Sequence, residues 1–171
     1  MFKNFKWQIC SILIVILMLM LCGCNNRITV TDYTSHEVSG LSFELPEQWR
    51  LEKDSEKDYS VDFDDSKSTF TIGVKELGDS YTDELFDDFA DRHMHDVIVS
   101  VGGTNIKCTS TIYNTYEAYD YTAEATVEGK TANIKITVFY VGNNAISAML
   151  IYTDDLYEYD TVYEHFLSSI N

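Results

Sequence analysis

Tyr119–Tyr152, YDYTAEATVEGKTANIKITVFYVGNNAISAMLIY, is the stretch whose reading decides the fold. It holds three apolar-rich runs, Tyr119–Val127, Ala132–Tyr140 and Ala145–Tyr152, separated by Glu128-Gly129-Lys130 and Gly142-Asn143-Asn144. Short Gly- and Asn-bearing turns join neighbouring strands as hairpins, so the runs are expected to form an antiparallel meander. In the first run Tyr119 and Tyr121 share parity with Ala123, Ala125 and Val127, while Thr122, Glu124 and Thr126 take the other. Alternate residues of a pleated strand point to opposite faces, which assigns these tyrosines to the core.

Working outward, Ile106–Ile112 reads as a fourth strand, and alternation of Ile106, Cys108 and Ser110 makes Cys108 a buried small residue rather than a nucleophile. Before it, Leu85, Phe86, Phe89, His93, Val97 and Val101 mark one helical face, with Ser80 as N-cap, Asp83 and Glu84 at the positive end of the dipole, and Gly102-Gly103 as the stop. Tyr59, Val61 and Phe63 alternate before Asp64-Asp65-Ser66-Lys67, and Phe70, Ile72 and Val74 after it, which predicts a hairpin. Leu41, Phe43 and Leu45 precede Pro46, and Trp49 and Leu51 follow, giving two short strands. After the meander, Asp155 opens a closing helix with an apolar stripe of Leu156, Tyr159, Val162, Tyr163, Phe166, Leu167 and Ile170. The fold class is α+β: an antiparallel sheet of about six to eight strands flanked by two α-helices.

At the N-terminus Lys3 and Lys6 precede an apolar run, Ile12–Cys22, of 11 residues. Basic-then-apolar order is that of a secretory signal, and the run is shorter than the roughly 20 residues a membrane-spanning helix needs. Leu21-Cys22-Gly23-Cys24 resembles the lipobox of bacterial lipoproteins. The resemblance implies a signal peptide over residues 1–23, lipidation of Cys24, and attachment to the extracytoplasmic face of the cell membrane. Two or three acyl chains, at about 0.8 kcal/mol per buried CH₂, make such attachment effectively permanent. Residues 25–40 are polar and lack a sustained apolar period, as a tether would, leaving residues 41–171 as the domain. Cys10 and Cys22 depart with the signal and Cys24 is acylated, so Cys108 is the one remaining thiol and no internal disulfide can form.

Removal of the signal leaves 171 − 23 = 148 residues, one ordinary domain. Its charge is 10 − 28 = −18, since Lys3 and Lys6 leave with the signal. Phosphate backbones and anionic head groups repel such a surface, so nucleic acid is excluded as a partner, whereas cations and an envelope protein are favoured.

The order of strands, helix, meander and C-terminal helix resembles the PsbP-like fold superfamily, which includes an extrinsic photosystem II subunit, a Ran-binding nuclear-transport factor and small bacterial envelope lipoproteins. Leu41-Ser42-Phe43-Glu44-Leu45-Pro46-Glu47-Gln48-Trp49 and the ending Phe166-Leu167-Ser168-Ser169-Ile170 carry the likeness. It implies an adaptor or assembly module and no shared catalytic machinery.

Of the sites the residues offer, Asp62-Phe63-Asp64-Asp65-Ser66 fails as a calcium loop: its sixth position is Lys67 and its twelfth Gly73. Asp87, Asp91 and His95 recur at i, i+4 and i+8, a stripe that could hold zinc or manganese, although Arg92 stands four residues from both Asp88 and Asp96 as in ordinary surface pairing. No GxSxG, SxxK, GxGxxG or P-loop element is present, so neither catalysis nor a cofactor is implied. Tyr113 and Tyr116, with Tyr33, are the tyrosines that could serve a partner surface. The expected function is therefore a lipid-anchored binding or assembly module, with a metal-binding (Zn, Mn or Ca) lipoprotein and a small hydrolase as alternatives.

Overall fold

The computed structural model describes residues 28–63, 68–78, 83–153 and 158–171. The signal segment, Cys24, the Asp64-Asp65-Ser66-Lys67 turn, the Ser80 cap, and Asp155 and Leu156 of the closing helix lie outside the described residues. No helix among the described residues is long and apolar enough to cross a membrane.

The meander forms as expected from β7 (Tyr116–Val127), β8 (Lys130–Val141) and β9 (Asn144–Tyr152), with Tyr119 opposite Val138 and Ile136 opposite Met149. Glu128 and Gly129, at φ 50° and 79°, make the two-residue turn between β7 and β8, a conformation matched to the right-handed twist of the strands it joins. On one side β6 (Thr104–Tyr113) pairs with β7; on the other β5 (Thr69–Glu76), β4 (Asp58–Asp62) and the short β3 (Leu51–Lys53) follow β9. The result is one seven-stranded antiparallel sheet of order β3-β4-β5-β9-β8-β7-β6. A separate hairpin of β1 (Tyr33–Val38) and β2 (Leu41–Pro46) completes the strands. Thus regular structure begins earlier than the sequence suggested: the polar segment 25–40 contains β1.

Both faces of the sheet are covered. Against one lie the β1–β2 hairpin, through Val38, Leu41, Phe43 and Leu45, and the C-terminal helix α3 (Tyr159–Ser168), through Tyr159, Val162 and Phe166. The expected stripe of this helix holds for each of its described members, with Leu167 half-buried. Beyond α3, Asn171 and Ser42 exchange two backbone hydrogen bonds of 3.1 and 2.9 Å, and the Glu44 amide donates to Ser169 Oγ at 2.8 Å. The segment that follows α3 is thereby joined to β2. A polar chain is buried beneath α3: Tyr113 and Thr137 donate to the two oxygens of Asp120, each at 2.6 Å, and Tyr163 Oη lies 3.0 Å from Thr137 Oγ1. Tyr113, Asp120, Thr137 and Tyr163 thus satisfy one another, which avoids the ~1–3 kcal/mol cost of leaving a buried polar group unsatisfied.

The opposite face is covered by residues 83–100, wound as α1 (Asp83–Asp88), a π-helical segment (Phe89–Met94) and α2 (His95–Ser100). Its buried residues are Phe86, Ala90, Met94 and Ile98, a spacing of four throughout. In a pure α-helix such a row drifts around the cylinder, because 3.6 residues complete a turn. The more slowly wound π segment counteracts the drift and keeps the row on Ile134, Ile136 and Val138. This corrects the expected face: His93 is exposed and Val101 is 44% exposed. The Gly102-Gly103 stop is as expected, the amides of Gly102 and Gly103 donating to the carbonyls of Val99 and Ile98.

Gly103 crosses so close to the helix that a Cβ there would lie 2.3 Å from Ile98 Cγ2 and 2.7 Å from its carbonyl oxygen, while a Cβ at Gly129 would meet nothing within 4 Å. Thermal unfolding should therefore show Gly103→Ala losing ~1–3 kcal/mol through overpacking. Gly129→Ala should lose about 1–2 kcal/mol, for its positive φ alone.

Candidate functional site

The expected metal stripe is not assembled as one. Asp87, Asp91 and His95 are all exposed, and among the described residues no three His, Cys, Asp or Glu side chains are placed to hold a metal ion. Asp87 instead accepts a 2.6 Å hydrogen bond from Tyr119, and this bond, followed by burial, pushes the Tyr119 phenol up to about 12. Arg92 pairs with Asp88 at 2.7 Å, the surface ion pair that the spacing suggested.

Cys108 is exposed, contrary to expectation. The alternation was real, and Ile106 packs against the helix-side core, but β6 is the outermost strand and at Cys108 it is left uncovered. Cys108 stands opposite Tyr121, whose buried hydroxyl has no hydrogen-bond partner among the described residues. Burial first, and then the neighbouring Cys108, raise that phenol's pKa.

Tyr113 and Tyr116 are half-buried and packed against the α3-side core. Tyr113 of β6 is held by Asp120 of β7, and Tyr116 Oη reaches the Gly40 carbonyl at 3.4 Å, so the first ties β6 to β7 and the second ties β7 to the β1–β2 turn. Burial and then Asp120 raise the Tyr113 pKa. Tyr33 stacks on His165 with ring centroids 3.6 Å apart, and His165 Nε2 is 2.8 Å from Glu44 Oε2. These tyrosines occupy joints between elements rather than an open face.

Two concavities flank the covering layers. The larger, about 600 Å³, opens on the α3 side of the sheet between Lys107, Glu124, Lys135 and Asp160. Its two carboxylates are engaged: Asn105 donates to Glu124 at 2.9 Å, while Lys135 and Tyr152 both bind Asp160 Oδ1 at 2.5 Å.

The second, about 310 Å³, lies between residues 83–100 and strands β4, β5 and β9. Met94 and Val97 form its helical wall, Ile136 and Met149 its apolar floor, and Asp54, Asp58 and His93 its rim. Asp58, Gly73 and Ser147 stand directly opposite one another on three adjacent strands. A Cβ at Gly73 would lie 3.5 Å from Asp58 Oδ1 and 3.1 Å from Ser147 Oγ, so the missing side chain leaves a small pit between an acidic and a hydroxyl oxygen. Apolar walls with a few convergent polar groups are the usual makeup of a ligand site, and this volume is at the small end of the range. The groove is the candidate site. Sequence reasoning missed it, although a lone Gly inside the Phe70–Val74 strand is a recognised mark of close backbone approach.

No protein-family model matches the sequence, and no curated protein matches it significantly. Solved structures do match. Cyanobacterial PsbP (CyanoP) from Synechocystis sp. PCC 6803 superposes with a TM-score of 0.59 and 15% identity, over 88% of this chain and 96% of that one. LpqN, involved in cell envelope biogenesis of Mycobacterium tuberculosis, gives 0.56 and 14% over 82% and 90%. The Saccharomyces cerevisiae Ran-binding protein Mog1p gives 0.55 and 7% over 82% and 95%. A longer chain from Bacteroides thetaiotaomicron is matched over only 44% of its length. These likenesses show the PsbP-like fold expected from the sequence.

The Lys135–Asp160 contact has a pH consequence. Burial alone would raise the Asp160 pKa, but the bonds from Lys135 and Tyr152 outweigh it and the net shift is downward. A carboxyl held lower in the folded state contributes stability that is present above its unfolded pKa and is lost as pH falls through its folded value. Melting temperatures taken from pH 7 to pH 2 should show the Lys135→Met variant losing less on acidification than the parent.

Proposed function

We propose that this chain is a lipid-anchored, extracytoplasmic binding or assembly module that acts without catalysis, holding a segment of an envelope protein in the groove beside Gly73. The observation that carries the reading is the groove itself, with its Met-lined floor, which can adapt to an apolar group, and its acidic rim. Its polar groups are engaged as lining: Ser55 Oγ donates to Asp58 Oδ2 at 2.8 Å, and Ser147 Oγ faces the Gly73 carbonyl at 3.5 Å. The envelope setting is supported by the lipobox-like Leu21-Cys22-Gly23-Cys24 and, by analogy of fold alone, by LpqN. From Cys24 to Tyr33 is 33 − 24 = 9 residues, a reach of about 30 Å, so the domain works close to the membrane. Its net negative charge favours standing off an anionic leaflet rather than lying on it.

The full-length protein expressed in a bacterial host should partition with membranes and incorporate labelled fatty acid, and Cys24→Ala should do neither. A photo-crosslinking residue placed at His93 should give a discrete adduct with a membrane-associated protein. That adduct should be lost on Val97→Arg, be unaffected by chelators, and be missing when the same crosslinker stands at Thr126. A fully soluble parent protein would refute the anchor; equal adducts at His93 and Thr126 would refute the groove.

A further inference from the structure

Resting on the groove's being a binding site, we propose that its ligand is a primary ammonium group on an unbranched apolar stem, the chemistry of a lysine side chain or of a free alkylamine. The pit at Gly73 is the reason. A nitrogen seated above the missing Cβ comes within reach of Asp58 Oδ1 on one side and Ser147 Oγ on the other, since those atoms lie 3.5 and 3.1 Å from the Cβ position. An ammonium is compact and carries three donors, whereas a guanidinium is a broad planar fork that the narrow pit does not fit.

The acceptor is held in place before any ligand arrives. Ser55 Oγ receives hydrogen bonds from the Lys57 and Asp58 amides at 3.2 and 3.1 Å and donates to Asp58 Oδ2 at 2.8 Å. The Asp54 amide donates to the Asp58 carbonyl at 3.0 Å, which brings the second rim carboxylate alongside. A carboxylate already ordered by its own turn loses little freedom on binding. Beyond the pit the next row of the sheet places Thr71 opposite Met149 and Met149 opposite Ile136, with Met94 and Val97 facing them from the helical wall. That corridor suits a chain of methylenes.

Two neighbouring cations are engaged elsewhere: Lys57 pairs with Glu76 at 3.4 Å, and Lys53 lies over the Tyr59 ring at 6.0 Å. With Asp54 and Asp58 on the rim and a chain charge of −16, the groove attracts a cation and repels a carboxylate.

The test is titration of the full chain, in nonionic detergent, with n-pentylamine, n-pentanoate and n-pentanol, followed by heteronuclear NMR. Pentylammonium should bind saturably, shifting the amides of Gly73 and Ser147, and pentanoate should not bind. Asp58→Asn should weaken pentylammonium by roughly tenfold, equivalent to about 1.4 kcal/mol, without weakening pentanol. Gly73→Ala, which fills the pit with one methyl group, should do the same; unchanged spectra away from the groove would show that both variants fold. Nα-acetyl-lysine N-methylamide separates the sources: tighter binding than pentylamine marks a lysine of a partner, weaker binding a free amine, and either supports the site. Pentanol binding as tightly as pentylammonium, or indifference of pentylammonium to Asp58→Asn, overturns the ammonium assignment while leaving a binding groove. Failure of every probe while the His93 adduct persists overturns it too, and loss of the adduct as well removes the binding-module reading with it.

Discussion

Ile134, Ile136 and Val138 on one face of β8, and Thr137, Phe139 and Val141 on the other, are all at most 7% exposed, and the rest of the molecule depends on keeping that strand dry. An antiparallel sheet commonly leaves one face to water. Here neither face can be left, because at about 25 cal/mol per Å² of apolar area each exposed row would forfeit several kcal/mol. Two covering layers are therefore obligatory, one drawn from the middle of the chain and the other from its two ends. One is residues 83–100, adjacent in sequence to β6; the other joins the N-terminal hairpin to α3. The paired Ser42 and Asn171 backbones close that second layer.

The two covers differ in width, and the difference shapes the surface. On the α3 side, aromatic groups spread from Trp49, Phe63 and Tyr159 at one end to Phe139 and Tyr113 at the other, spanning most of the sheet. On the opposite side a single helical segment must cover seven strands. Aligned by its π turn, it seats Phe86, Met94 and Ile98 over the centre and leaves both flanks bare. At one flank β6 and Cys108 are exposed; at the other, where the helical segment stops short over β4, β5 and β9, the groove opens. Groove and open edge are thus consequences of one narrow layer on a wide sheet.

The same logic separates what was legible in the sequence from what was not. The meander, the Tyr59–Val74 hairpin, the α3 stripe and the inward parity of Tyr119 and Tyr121 were readable because each is a local periodicity enforced by burial. β1 was not: of its six residues Val38 alone is buried, so its inward positions carry no apolar rhythm to recognise. The helical face was misjudged because a 3.6-residue period was applied where the π segment imposes a spacing of four. Cys108 was misjudged because alternation reports which face a residue takes, and not whether anything covers that face. Strand order decides the second question, and β6 is at the edge.

The groove was hidden for a further reason. Asp58, Gly73 and Ser147 belong to three strands, and Ser147 lies 74 residues from Gly73 in the chain. Their alignment is a property of register across β4, β5 and β9, which no spacing within one segment can announce. Yet each alone departs from strand preference, since Asp and Gly are depleted in sheets and a serine adds little packing. Three such departures in one row, on a face otherwise built largely from Ile, Val, Ala, Tyr and Met, weaken the sheet locally without benefit to the core. Local rules broken together at one place are where a fold gives up stability for something else. In this chain that place is the only part of the described helix-covered face where an acidic oxygen, a hydroxyl and an unfilled backbone position converge on space large enough for a ligand.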